Sequence, residues 1–407
     1  MSWARSCGRW GSKVFGLRGL QSSSGGAGRG QVAAGSRWRQ GRDGITGHTM
    51  PLWLALVVHR IVERSADIAA LCHAEAAGVL RREWAGAAGA VVQTAAVVML
   101  AASTQAAHAD LASERLAAID RLIAEGTANS LATAALLKQF GAESDSGAYV
   151  LISRAVQLAP DRRDLAWLAV RLCASSSDCN DAVPEKHLHD VDPTNGVGFI
   201  GPLLRAQRKN DVAGIDAALT ALGKSEKFYV YFDPLIAATT PELAAARHPG
   251  GTPSSKEITR ATMDMAGTIA ASVLPPTQSF SYSCKGVALE QVAGRLDLCR
   301  RAAKAISHAD TFLVEGLGLS YQQQLWPLDS PEGRATTAQR RVFQYRMEEY
   351  NHIDISTSKV EEYPTDALEA FRTHEREQDV ALFYFAKAGT PKDPPPNWKS
   401  QLPPRVP

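Results

Sequence analysis

The chain lacks the residue sets by which most enzyme classes declare themselves in sequence. It has no C-x-x-C pair, and His374-Glu375-Arg376-Glu377 lacks the second histidine of a zincin. Gly318-Leu319-Ser320 begins like a nucleophile elbow without its second glycine. His248-Pro249-Gly250-Gly251-Thr252 has no lysine where a phosphate cradle needs one. Ser356-Thr357-Ser358-Lys359 fits S-x-x-K, but with Lys387-Ala388-Gly389 it spans only about 30 residues, too few to enclose the domain such sets require. Hairpin signals are missing as well, which argues against a sandwich or barrel.

Acidic residues are nearly absent from the first fifty positions. Asp43 stands alone there against 8 Lys and Arg and 12 Gly. Such a segment buries too little apolar surface to offset its ordering entropy, so residues 1–78 are expected to be disordered or to lie upstream of the true start. The formal net charge of +2 conceals a split. Twelve basic and 5 acidic residues precede Asp110, against 32 and 37 from there on. A mildly acidic body has the wrong sign for a nucleic-acid partner, whose phosphates supply most non-specific affinity.

Long Leu-rich runs are also missing. The extended apolar stretch, Ala85 to Ser103, is built mainly from Ala, Val and Gly and carries Gln93 and Thr94, a composition that inserts weakly into a bilayer. Arg81 and Arg82 flank it, and Ala107-His108-Ala109 places small residues where a signal peptidase inspects them. Residues 79–109 therefore read as a signal peptide cleaved before Asp110, and the protein as periplasmic or secreted. Left uncleaved, 85–103 would be its only membrane contact. Asp110 rather than a cysteine directly follows Ala109, so no lipid anchor is expected.

From Asp110 the apolar periodicity is helical. Leu111, Leu116, Ile119, Leu122 and Ile123 mark a first helix closed by Gly126. Further helices are predicted over 130–140, 149–158, 164–173, 196–207 and 211–222, and later over 295–307, 310–326, 331–351 and 364–388. Tyr229-Val230-Tyr231-Phe232 has strand-like composition but runs into Asp233-Pro234 and reads as a buried helix segment. His248 to Ser255 marks a domain boundary, with Ser255 as the cap of the next helix. This divides the mature chain into a helical domain over 110–250, a helical region over 251–390 and a Pro-rich, extended and largely unpacked tail over 391–407.

Pro160 and Pro193 lie 33 residues apart, close to the period of helix–turn–helix arrays. Ala148, Ile152, Ala155 and Pro160 have the spacing of the second half of a tetratricopeptide repeat, with Arg171 standing where that motif carries Gly. On these residues the chain resembles tetratricopeptide-repeat-like helical proteins, especially secreted helical proteins of proteobacteria. The resemblance covers about one and a half repeats over 110–225. It implies an all-α fold, a helix-pair (tetratricopeptide-like) solenoid, and a role in protein or peptide binding.

Six cysteines are present, and Cys7 and Cys72 precede the cleavage site. Cys173, Cys179, Cys284 and Cys299 remain, an even number suited to disulfides in an exported chain. Of the three connectivities, the local pairs Cys173–Cys179 and Cys284–Cys299 are expected. A continuous helix over 284–299 would hold its ends about 22 Å apart, so the second bond requires a reversal, placed at Ala293-Gly294.

His187-Leu188-His189-Asp190-Val191-Asp192 concentrates potential metal ligands but reads as a polar loop before Pro193. The charge run 372–379 reads as a solvated helix face, and the late aromatics from Tyr321 to Phe385 as helix core. No catalytic, cofactor-binding or metal-binding residue is assigned. The leading expectation is a non-enzymatic exported binding protein with a protein or peptide partner. The alternatives are an envelope hydrolase assembled in space from His308, Asp310 and Glu315, and a purely structural envelope component.

Overall fold

The computed structural model describes residues 113–140, 147–176, 179–276, 278–356 and 363–400, all within one compact unit, Leu100–Pro407. The signal-like segment 79–109, the upstream residues, Cys7, Cys72 and residues 401–407 lie outside the described residues. Among the described residues the backbone is all-helical, with two isolated parallel bridges and no strand. None of these helices is long and apolar enough to cross a membrane.

Helix α1 (113–125) ends at Gly126, whose φ of +70° suits a residue without Cβ. Helix α2 (Ala128–Gln139) starts behind Thr127, whose hydroxyl accepts from the Ser130 amide. It packs on α3 (Gly147–Leu158), which packs in turn on α4 (Arg163–Cys173) and α4 on α5 (Ala182–Val191). The seam is made of small residues: Ala132 and Ala135 on α2, Ala148 and Ala155 on α3 and Ala166 on α4 are all buried. Small side chains let helix axes approach, and Leu136, Ile152 and Leu165 fill the remaining space.

A 3₁₀ turn (Gly196–Phe199) leads into α6 (Ile200–Arg208) and α7 (Val212–Gly223). Helices α8 (Phe232–Arg247) and α9 (Ser255–Val273) then return, α8 against α2 and α9 against α4. Trp167 donates its indole N–H to the Val273 carbonyl at 3.1 Å, and Arg171 its Nε–H to Ser272 at 3.0 Å. Arg171 thus caps the end of α9, and burial lowers its guanidinium to about 10. The chain continues through the short α10 (Gln278–Ser283) and α11 (Val287–Gln291) into α12 (Arg295–Ile306), α13 (Phe312–Leu325) and α14 (Pro331–Ser356). It closes with α15 (Tyr363–Thr373) and α16 (Glu377–Ala388).

Both expected cysteine pairs are bonded, with Cα atoms 5.3 Å apart in Cys173–Cys179 and 5.6 Å in Cys284–Cys299. The reversal in the second loop is made by Gly286 at φ +56° and Gly294 at φ +77°.

Several expectations need correction. Residues 187–191 are helical, not a loop, so the two histidines diverge; His189 stacks 4.6 Å from Phe199. The turn at 248–255 does not separate two cores, because α8 and α9 pack on each other and one apolar cluster runs from Ala118 to Leu325. The cap of α9 is Ser254 rather than Ser255, in a reciprocal box with Glu257. The stretch 364–388 is two helices, broken at 374–376. The late aromatics do form a core, with Phe312, Phe343, Tyr345, Tyr384 and Phe385 in one cluster. The described part of the tail is not unpacked: Arg341 donates to the Pro395 carbonyl at 2.6 Å, and Trp398 packs edge-on against Tyr345 at 5.4 Å.

Candidate functional site

The residues expected to form a buried helix at 229–232 are extended up to Tyr231, and α8 begins only at Phe232. Side chains from elsewhere capture their backbone. The Asn195 carboxamide accepts from the Tyr229 amide at 2.9 Å and donates to the Tyr229 carbonyl at 2.9 Å. Asp310 accepts from Val230 at 2.9 Å and Tyr231 at 2.6 Å. These bonds satisfy buried amides that a helix would have satisfied internally. Two parallel bridges, Asn195 with Lys227 and Phe228 with Ala309, tie the segment to its neighbours.

Three helix N-termini meet beside this segment and cap one another. Helix α8 starts behind Tyr231, which adopts φ 57°, and its entry amides are held by Asp310. The Glu377 carboxylate at the start of α16 accepts from the Phe312 amide, the first of α13, at 2.8 Å. The Asp310 carbonyl accepts from the Glu377 amide at 2.8 Å, which closes the triangle. Gln378 extends the network by donating to Glu315 at 2.7 Å.

This junction is rich in acid and poor in water. Burial raises Asp310 to about 7 even against the pull of its backbone N–H donors. Burial also raises Glu377 to about 7, with Asp310 and Glu315 adding repulsion. Asp233 is 1% exposed and neither of its carboxyl oxygens has a hydrogen-bond partner. Burial, together with Glu377, Asp310 and Asp379, pushes it well above the usual carboxylate range. An ionised carboxylate without donors is costly in such a place, so Asp233 is held neutral.

Over the junction opens a cleft of about 380 Å³. The extended segment contributes Lys227 and Tyr229, α12 and the following turn His308, and α13 Phe312 and Glu315. Helix α14 presents Gln339, Val342, Phe343 and Arg346, one helical face at i, i+3, i+4 and i+7. Gly316 allows the close approach of α13 and α14, since a Cβ there would stand 2.8 Å from the Phe343 ring. Arg376, in the break before α16, completes the wall.

His308 and Glu315 share this cleft, whereas Asp310 does not line it and is occupied by backbone amides. Burial lowers the His308 imidazole and raises Glu315. The adjacent Ser307 hydroxyl donates to the Lys304 carbonyl at 2.8 Å and accepts from Gln322 at 2.7 Å. Among the described residues neither a serine hydroxyl nor a carboxylate is hydrogen-bonded to the His308 ring, a pairing that nucleophilic hydrolysis would require. Among the described residues no three His, Cys, Asp or Glu side chains are grouped as metal ligands.

Sequence reasoning missed Lys227, Arg346 and Arg376. Arg376 was hidden in the charge run 372–379, and its signal was the run's position at a helix start. No protein-family model, no curated protein and no solved structure matches the chain, so the cleft's own geometry carries the functional reading.

Proposed function

We propose that this is an exported helical-repeat protein that binds a segment of another protein, or a free peptide, in the cleft above the three-helix junction. The observation that carries the reading is the cleft's mixed lining: the apolar side chains Val342, Phe312 and Phe343 stand beside the charged and amide groups of Gln339, Arg346 and Arg376. Peptides present that same mixture, and such concave sites with a few placed polar groups are the usual binding geometry. The two disulfides favour an oxidising compartment. The periplasm and the signal peptide at 79–109 are the specific form of that inference. In this reading the stacked helices α2–α5 are a short tetratricopeptide-like scaffold. A hydrolase draws less support, because Asp310 and Ser307 are committed to structural hydrogen bonds.

The test is to pan displayed random peptides against the disulfide-intact chain, synthesise the enriched ones and map amide exchange in their presence. New protection at 226–231, 307–315 and 339–346 is expected. Absence of enrichment, or protection confined to other elements, overturns the assignment.

A further inference from the structure

The cleft's cations are not equivalent. Lys227 is already paired with Asp192 at 3.0 Å, and Arg346 with Asp393 at 3.3 Å. Arg376 has no ion pair and no side-chain hydrogen bond with any described residue, and its Nε is shut off from solvent without an acceptor. A guanidinium carries five donors in a planar fork. Here Arg376 lines the cleft, and its buried Nε has no acceptor among the described residues.

Its place in the chain makes the point sharper. Arg376 is the N-cap of α16, with extended backbone and no side-chain cap bond. Ser, Asp or Asn would satisfy an amide there, and a cation is opposed by the positive end of the helix. The residue therefore weakens the helix start that it occupies. Locally unfavourable choices of this kind concentrate where a chain serves something other than its own fold.

We infer that Arg376 receives a carboxylate, so that the ligand is a peptide presenting either a free C-terminus or an Asp or Glu side chain to the cleft. This rests on the peptide-binding reading above. With Lys227 and Arg346 paired, Arg376 is the cleft cation without an ion pair among the described residues, and one monoanion matches its single charge. Glu226 and Glu315 in the same lining would oppose a dianionic phosphate. A carboxylate matches the guanidinium fork with two parallel hydrogen bonds. Phe312 and Phe343, with ring centroids 6.0 Å apart and edge-on, supply the apolar wall against which an adjoining side chain would rest.

The experiment uses the full chain with its disulfides intact and three acetylated tetrapeptides containing a central phenylalanine. One ends in a free carboxylate, one in an amide, and one in an amide but with a glutamate before the phenylalanine. Binding is read by ligand-observed NMR, for the unaltered protein and for Arg376→Gln and Arg376→Lys. At least one acidic peptide is expected to bind about tenfold or more tightly than the neutral amide. Whichever acid wins identifies the carboxylate's source. Arg376→Gln should erase the preference, while Arg376→Lys keeps part of it. If all three peptides bind alike, or the preference survives Arg376→Gln, the carboxylate assignment fails and peptide binding stands. If inorganic phosphate displaces the acidic peptides at lower concentration than acetate does, the monoanion assignment is overturned. If none of the three binds, the peptide-binding reading fails and this inference with it.

Discussion

Helices α2–α4 and the junction of α8, α13 and α16 both exclude water from a helix contact, by opposite means. The first uses methyl groups: Ala132, Ala135, Ala155 and Ala166 are fully buried and carry no polar atom beyond the backbone. The second uses carboxyls, with Asp310 and Glu377 standing in for the missing turn of each helix and Asp233 buried among them. Apolar burial is insensitive to pH, whereas a buried carboxyl ties stability to proton binding. The chain has thus placed a titratable contact directly beneath its cleft, and a silent one where only support is needed.

The sharpest way to break that contrast is to remove one member from each region. Asp310→Ala strands two buried amides, those of Val230 and Tyr231, and should cost about 3–5 kcal/mol at pH 5 in urea unfolding. Leu136→Ala, in the alanine seam, should cost about 2–5 kcal/mol through its cavity. The costs are similar, but only the Leu136 loss should be the same at pH 5 and pH 8. A Leu136→Ala cost that varied with pH as much as that of Asp310→Ala would remove the distinction.

The pH dependence of the unaltered protein comes next. Asp233, Asp310, Glu377 and Glu315 are all raised in the folded state above their ordinary range near 4. Between about pH 4 and pH 7 the folded chain therefore binds more protons than the unfolded one, and stability falls as pH rises. The contribution is complete below the unfolded value and is lost through about 7. Asp233→Asn, which needs no proton to stay neutral, should flatten this slope and stabilise the protein by about 1–3 kcal/mol at pH 8. At pH 4 it should change little. Equal slopes for the two proteins would show that Asp233 is not the group held neutral.

How far each region could be read in advance follows from the same contrast. The alanine seam declares itself through period: Ala148, Ile152 and Ala155 share one helix face, and the structure buries all three. The Cys284–Cys299 pair was legible because a bond across 15 residues demands a reversal, and Gly294 was there to make it. The junction was not legible. Asn195 and Asp310 lie 34 and 79 positions from the amides they capture at Tyr229 and Tyr231, and no periodicity records such partners. Tyr229 to Phe232 read as a buried helix segment because the stretch runs into Asp233-Pro234, and a distant carboxamide and carboxylate hold its first three residues outside the helix. Arg376 went unread because a charge run on a helix and one in a break between helices look alike until the break is known.

Disulfides give a smaller effect, independent of both regions' polarity. Removing Cys284–Cys299 by paired alanine substitution should cost about 3 kcal/mol, and removing Cys173–Cys179 about 2, since loop entropy grows with the residues enclosed. Differential unfolding with and without reductant measures the sum. The order of the two would reverse if native-state strain rather than loop length set the cost.

The smallest effect sharpens the comparison by running against it. At the start of α9 the Ser254 hydroxyl accepts from the Glu257 amide at 3.4 Å, while the Glu257 carboxylate accepts from the Ser254 amide at 2.6 Å. The Ser254 backbone N–H, and after it the Ser254 hydroxyl donating to the same carboxylate at 2.8 Å, hold the Glu257 carboxyl below its usual range. A lowered folded value reverses the sign found at the junction: this cap is fully formed above the ordinary glutamate range and weakens as pH falls through the lowered value. As an N-cap loss, Ser254→Ala should cost about 1 kcal/mol at pH 7, with a smaller loss once the pH is low enough to protonate Glu257. Exposed and buried carboxyls in one chain would then titrate stability in opposite directions, because one gains donors on folding and the other loses water. A Ser254→Ala cost that grew as pH fell would contradict the cap's assigned role.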